Sequence, residues 1–218
     1  MVSYWCGYYV AALFSFIKSI IIKDKKEIIR NLIIESAHTY NRLAGKTFLY
    51  VYGEEYLEVS FSIKHFLHLT GVDTNLSAKM FYKNAKHATL SKNQFFFNER
   101  HLYANAKKKL PCLKRLPELT TNFVCILKEM KTVTVVYKLS ITNLEFTLGL
   151  IEKNGTNIYL PKTLRVEDSS VERSNGGEVV DFIFSKDASL TKYDTLLLSD
   201  KRKILPTSVR YLIVDELL

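Results

Sequence analysis

The change of pattern at Asn122 constrains this chain more than any other feature of its sequence. Before it, apolar residues recur at three- and four-residue intervals. After it, they come in short β-branched or aromatic runs separated by turns. Phe123–Lys128, Thr132–Leu139, Phe146–Glu152, Thr156–Leu160, Val179–Phe184 and Thr195–Leu198 read as strands. Lys153-Asn154-Gly155 reads as a hairpin turn, because Asn-Gly tolerates the positive φ values a tight hairpin needs. Helices followed by strands is an α+β order, with a mainly antiparallel sheet, and excludes a βαβ repeat. Val209–Leu218 fits a helix or a last strand equally well.

The first half supplies the helices. In Asp24–Leu43, residues Ile28, Ile29, Leu32, Ile33, Ser36, Tyr40 and Leu43 share one helical face. Asp24 is placed to cap its start and Gly45 to end it. Strands are expected near Thr47–Tyr52 and Tyr56–Phe61, with Gly53-Glu54-Glu55 as the turn. Gly71 and Asp73–Asn75 then break the chain into a short helical turn and a helix over Ser77–Lys86, capped by Ser77 or Asn75. Glu99–Lys109 reads as a basic helix, and Pro111–Pro117 as a breaker. Phe95-Phe96-Phe97 reads as a buried strand, or less simply as a stacking platform.

Tyr4–Ile22 is apolar apart from Lys18 and short polar residues such as Ser15 and Ser19. Its length touches the lower range of a membrane span. The interruptions favour a packed helix over a membrane anchor, and the lack of a basic leader argues against a signal peptide. The chain divides by this reading into an apolar extension, 1–23, and one domain, 24–218. Cys6, Cys112 and Cys125 have no metal-binding spacing, which fits reduced thiols in a cytoplasmic protein. Thirty-one Lys and Arg against 22 Asp and Glu give a net charge of +9. Such a charge suits a polyanionic partner, and also plain solubility. No nucleotide-binding glycine loop, zinc-protease motif, serine-hydrolase elbow or two-metal carboxylate cluster is present.

The run Phe61–Tyr82 is the most specific text. It contains Phe66-Leu67-His68-Leu69-Thr70-Gly71, then Ser77 and Phe81-Tyr82. Two shorter segments follow: Tyr159-Leu160-Pro161-Lys162-Thr163-Leu164-Arg165, after Leu148-Gly149-Leu150, and Ile183-Phe184-Ser185-Lys186. Together they resemble the family of phage-Barnase-EndoU-ColicinE5/D-RelE-like nucleases, type 4, over roughly residues 25 to 200. Leu160 departs from a second aromatic expected before the proline. The resemblance implies N-terminal helices packed on one face of a mainly antiparallel sheet of four to six strands (barnase/EndoU/colicin/RelE-like). It also implies metal-independent cleavage of RNA, with no cofactor. An inhibitory antitoxin or immunity protein is the further partner expected of a toxin or mobile-element effector.

Metal-free RNA cleavage needs a base for the 2′-hydroxyl, cations for the charge building on the phosphate oxygens, and an acid for the leaving 5′-oxygen. His68 is the first candidate for proton transfer, against a core histidine held by a carbonyl. His65, one helical turn earlier, would suit a metal pair, but no third ligand is apparent. Alternation places Thr163 and Arg165 on one strand face, and Lys162 and Leu164 on the other. Thr163 and Arg165 thus form a candidate phosphate clamp, against an edge strand with gatekeeping charges. Lys186 could join the clamp or be a solvated lysine. Lys162, Tyr82, Thr70 and Tyr159 are candidate substrate contacts, although a Tyr in Tyr82's position beside Phe81 on a helix is more often a core residue. The basic runs Lys107–Lys109 with Lys114 and Arg115, and Lys201–Lys203, offer a hold on the RNA backbone or a solvated face. Two other readings stay open: an inactive RNA- or protein-binding module, and a membrane-associated protein anchored through Tyr4–Ile22.

Overall fold

The computed structural model describes residues 25–133, 135–166 and 169–218, the side chains of 169 and 170 excepted. The expected role of Tyr4–Ile22 and the Asp24 cap lie outside the described residues. Helix α1 covers 25–40. Its inward stripe is Ile29, Ile33, Ala37 and Tyr40, all fully buried, whereas Ile28 turns outward. Buried Ser36 sits on the same stripe and donates from Oγ to the Leu110 carbonyl at 3.1 Å. Gly45 ends the following turn at φ +86°, a conformation that carries little strain only without a Cβ.

Strands β1 (Lys46–Tyr52) and β2 (Glu55–Ser60) form the expected hairpin. Helix α2 (Phe66–Thr70) is one short turn ended by Gly71 at φ +75°. A small ribbon pairs β3 (Asp73–Thr74) with β4 (Phe95–Phe96). Between them lies helix α3 (Ala78–Lys86), with Ser77 capping its start by accepting from the Met80 N–H. Phe95 is buried and Phe96 is exposed, so the three phenylalanines are one strand end and not a platform.

Helix α4 (Tyr103–Lys114) corrects the expected break at Pro111. The helix begins later than its basic composition suggests and runs through the proline. Ala106, Leu110 and Leu113 are fully buried on one face. Their burial offsets the missing hydrogen bond, a case of tertiary packing overriding local preference.

The large sheet contains β5 (Cys125–Lys131), β6 (Val136–Thr142), β7 (Phe146–Glu152), β8 (Ile158–Val166), β9 (Gly177–Val179), β10 (Phe182–Asp187) and β11 (Thr195–Ser199), in addition to β1 and β2. Its order is β11-β10-β1-β2-β8-β7-β6-β5-β9, which makes nine strands where four to six were expected. The excess has two sources: β1 and β2 join the C-terminal strands, and the run 177–187 is used twice. β9 pairs with β5, and three residues later β10 pairs with β1. The sheet therefore rolls back towards its own far edge. All pairings are antiparallel except β2 with β8. The β7–β8 hairpin turns through Asn154 (φ +35°) and Gly155 (φ +70°), as the Asn-Gly signal requires. Helix α5 (Ser169–Glu172) lies in the β8–β9 connection. The ambiguous C-terminus forms helix α6 (Thr207–Arg210), and a single bridge joins Tyr193 to Ile213.

β2 and β8 share only two paired positions, Glu58 with Ile158 and Val59 with Tyr159. Pro161 offers no N–H, and the β7–β8 register shifts beside it, leaving Lys162 as an extra residue. Past that bulge β8 stays paired with β7 on one side, and its other side, where β2 has ended, runs next to α2 and α4. The main core joins these helices to Leu148, Leu150 and Leu164. A second core, on the other face of β1 and β10, holds Leu49, Phe184, Tyr193, Val209 and Ile213.

Candidate nuclease site

The open side of β8, the end of α2, the turn before α4 and α4 itself converge on one cationic region. His68 points outward from the last turn of α2 and is exposed. Its neighbours on that helix, Phe66, Leu69 and Thr70, are buried, so helical phase alone turns the imidazole to solvent. His68 is thus not a core histidine. Partial burial, then the charges of Lys162 and His101, hold its pKa below the usual histidine value. His65 is also held low, by burial first and then by His68 and Lys64. Its Nδ1 accepts the Ser62 N–H at 3.2 Å, fixing a neutral ring at the start of α2.

Beside this group opens a cleft of about 390 Å³ lined by Arg100, Asn105, Lys108, Lys109, Arg165 and neighbouring β8 residues. Leu164 fixes the strand by entering the core, and Arg165 follows at the end of β8. Arg165 Nε is buried and, among the described residues, has no hydrogen-bond partner. The side chain enters no ion pair with a described residue. Lys109 is half-buried, and its pKa is lowered by burial and by Arg165. Its stem passes over Gly71, where an added Cβ would lie 3.2 Å from Lys109 Cδ. Two cations held together in partial burial disfavour each other, and an anion between them would relieve both.

The turn leading into α4 is braced. Asn98 Oδ1 accepts the N–H groups of Arg100 and His101, both at 2.9 Å. Asn98 Nδ2 donates to Asp73 Oδ2 at 2.8 Å. This brace presents Arg100 to the cleft and His101 towards His68.

Other cations are already neutralised. Lys114 pairs with Glu35, Arg115 with Glu118 and Glu145, Arg202 with Asp200, and Lys203 with Asp181. These parts of the basic runs therefore make internal contacts, and such surface pairs contribute little stability each.

The remaining sequence candidates divide clearly. Lys162 joins His68. Thr163 does not line the cleft: its methyl lies over Gly149 with Met130 and Tyr137, on the sheet face opposite Leu164. Lys186 lies on β10, three strands from β8 in the sheet order. Its amine donates to the Thr191 carbonyl at 2.8 Å and stands 4.4 Å from the Tyr193 ring centre. Tyr82 is 3% exposed, packs against Tyr40 and Phe66, and donates to Asn41 Oδ1 at 3.3 Å. Thr70 is fully buried and donates to the Leu67 carbonyl at 2.7 Å, closing the end of α2. Tyr159 lies at the start of β8, near Tyr52, Tyr56 and Asn157, away from the Arg165 end of the strand.

Arg100, His101 and Lys109 were not singled out from sequence. Lys109 was hidden in a run of three lysines, and only the helical phase set by Ala106, Leu110 and Leu113 tells which one faces β8. Among the described residues no group of three or more His, Cys, Asp or Glu is placed to hold a metal ion. No helix among them is long and apolar enough to cross a membrane. Cys112 and Cys125 are free thiols.

An exposed imidazole beside a cationic cleft, on a helix-and-sheet frame, offers an anion both charge and a titratable partner. Comparison with known families agrees. The family described as phage-Barnase-EndoU-ColicinE5/D-RelE like nuclease 4 matches residues 32–202, and the chain belongs to it. No curated protein and no solved structure gives a match.

Proposed function

We propose that this protein is a metal-independent endoribonuclease, with His68 as a proton-transfer residue. One observation carries the reading: His68 stands exposed beside Lys162, next to a cleft whose buried Arg165 Nε has no partner among the described residues. Family membership supports a nucleic-acid substrate. The barnase/EndoU/colicin/RelE-like fold implied by the family name is part of the same proposal.

In this mechanism neutral His68 takes the proton of the 2′-hydroxyl. The 2′-oxygen then attacks phosphorus, forming a new P–O bond as the P–O5′ bond breaks. Lys162 offsets negative charge growing on the phosphate oxygens. A general acid, a role we assign to His101 beside His68, returns a proton to the 5′-oxygen. The products are a 2′,3′-cyclic phosphate and a 5′-hydroxyl. The lowered pKa of His68 favours its neutral, accepting form near pH 7. The protein would act in the cytoplasm as a toxin or mobile-element effector, restrained by an antitoxin or immunity protein.

The test is RNA cleavage by purified protein in EDTA, with end-group analysis. Cyclic phosphate ends, and their loss in a normally folded His68→Ala variant, are the expected results. Unchanged cleavage by that variant overturns the mechanism. RNA binding with no cleavage by the wild type would favour an inactive binding module.

A further inference from the structure

From the spacing of cations along β8 we infer a second phosphate subsite, formed by Arg165, Lys109 and Arg100, for a phosphate neighbouring the scissile one. The inference rests on the nuclease reading above and deepens it.

Lys162, at the bulge, and Arg165 are three residues apart on β8, so their backbones are separated by somewhat less than the roughly 10 Å of a regular strand. Lys162 belongs with His68, at the place of bond breaking. Arg165 belongs with Lys109 and Arg100, in the cleft of about 390 Å³. The two sets have different neighbours, and successive phosphates of an extended polynucleotide would meet them in turn. The second group has the features of a built anion site. Its guanidinium Nε is buried and without a described partner. The Lys109 stem is laid against Gly71, at the end of the same short helix that carries His68. Arg100 is held by the Asn98–Asp73 brace. A planar guanidinium with free donors suits a phosphate oxygen pair better than a single ammonium does. The substrate class is therefore a polynucleotide engaged through at least two adjacent backbone phosphates. A lone dinucleotide would leave the second group empty.

The test uses an oligonucleotide of about ten nucleotides with a single ribonucleotide, placed where the protein cuts RNA. One linkage at a time, on each side of the cut, is replaced by an uncharged methylphosphonate. One neighbouring linkage should lower kcat/KM by about tenfold or more when neutralised, while distant linkages change it by less than about threefold. In Arg165→Met, charged and neutral forms at that linkage should be cleaved within about twofold of each other. Lys109→Met, read the same way, should narrow the difference too. The subsite is refuted if no neighbouring linkage stands out in the wild type, or if both variants keep the wild-type sensitivity. If the protein cuts no RNA at all, the nuclease reading falls first and the subsite with it.

Discussion

Replacing Arg165 with methionine should make the protein more stable and less able to hold RNA. The guanidinium brings a charge and a buried N–H that has no partner among the described residues. An unsatisfied buried donor costs about 1–3 kcal/mol. Methionine keeps most of the apolar stem and removes that cost, along with the repulsion that helps lower the Lys109 pKa. Some packing is lost, so the low end of the range applies, a net gain of about 1 kcal/mol. For a chain of this size that corresponds to a Tm rise of about 2–4 °C. Circular dichroism melts in low-salt, phosphate-free buffer give the stability. RNA binding across a salt series gives the other half, because loss of one phosphate contact should reduce the slope of log K against log salt by about one. A lowered Tm with an unchanged salt slope would refute the argument, since the guanidinium would then be supporting the fold.

Three further outcomes are expected. Gly71→Ala places a Cβ at a φ of +75° and 3.2 Å from Lys109 Cδ, so urea unfolding should show a loss of about 1–2 kcal/mol; no loss would show that neither the left-handed backbone nor the close approach of Lys109 requires glycine there. Tyr82→Phe removes a long hydrogen bond to Asn41, so it should cost no more than about 1 kcal/mol. Its RNA cleavage should stay within about twofold of wild type, and a tenfold loss would return Tyr82 to the substrate site. Acid should weaken both folding and cleavage: His65 and His68 resist protonation in the folded state, while the unfolded chain takes up those protons near pH 6.5. Their contribution to stability is therefore full above that pH and is lost as pH falls below it. Substituting both by Gln should flatten this part of a stability-against-pH profile, and an unaltered profile would exclude them as its source.

Local signals survived into the structure and tertiary ones did not. The α1 stripe, the Ser77 cap and the Asn154-Gly155 turn each depend on neighbours in sequence, and each is found where its residues indicate. Pro111 misled because its helix is held by Leu110 and Leu113 from across the core. The strand read up to Leu160 and the strand end read after Pro161 are one continuous β8, because the bulge at Lys162 absorbs the proline. The double pairing of 177–187 leaves no pattern of its own, since both β5 and β1 lie far away in the chain. At the candidate site, the motifs singled out His68, Lys162 and Arg165, which lie in one cationic region. Lys109, Arg100 and His101 were not among them, because their meaning comes from a packing angle and a braced turn. Thr163 was misleading for a related reason, since strand alternation alone gives no account of which face another layer will cover.

The position of the run 177–187 in the chain has a consequence for folding. It follows β1, β2, α2, α4 and β8, and it joins β5 to β1. Before it docks, the two halves of the sheet meet only at the two paired positions of β2 and β8. Closing the frame around the candidate site thus falls to a segment that supplies none of the site's own residues.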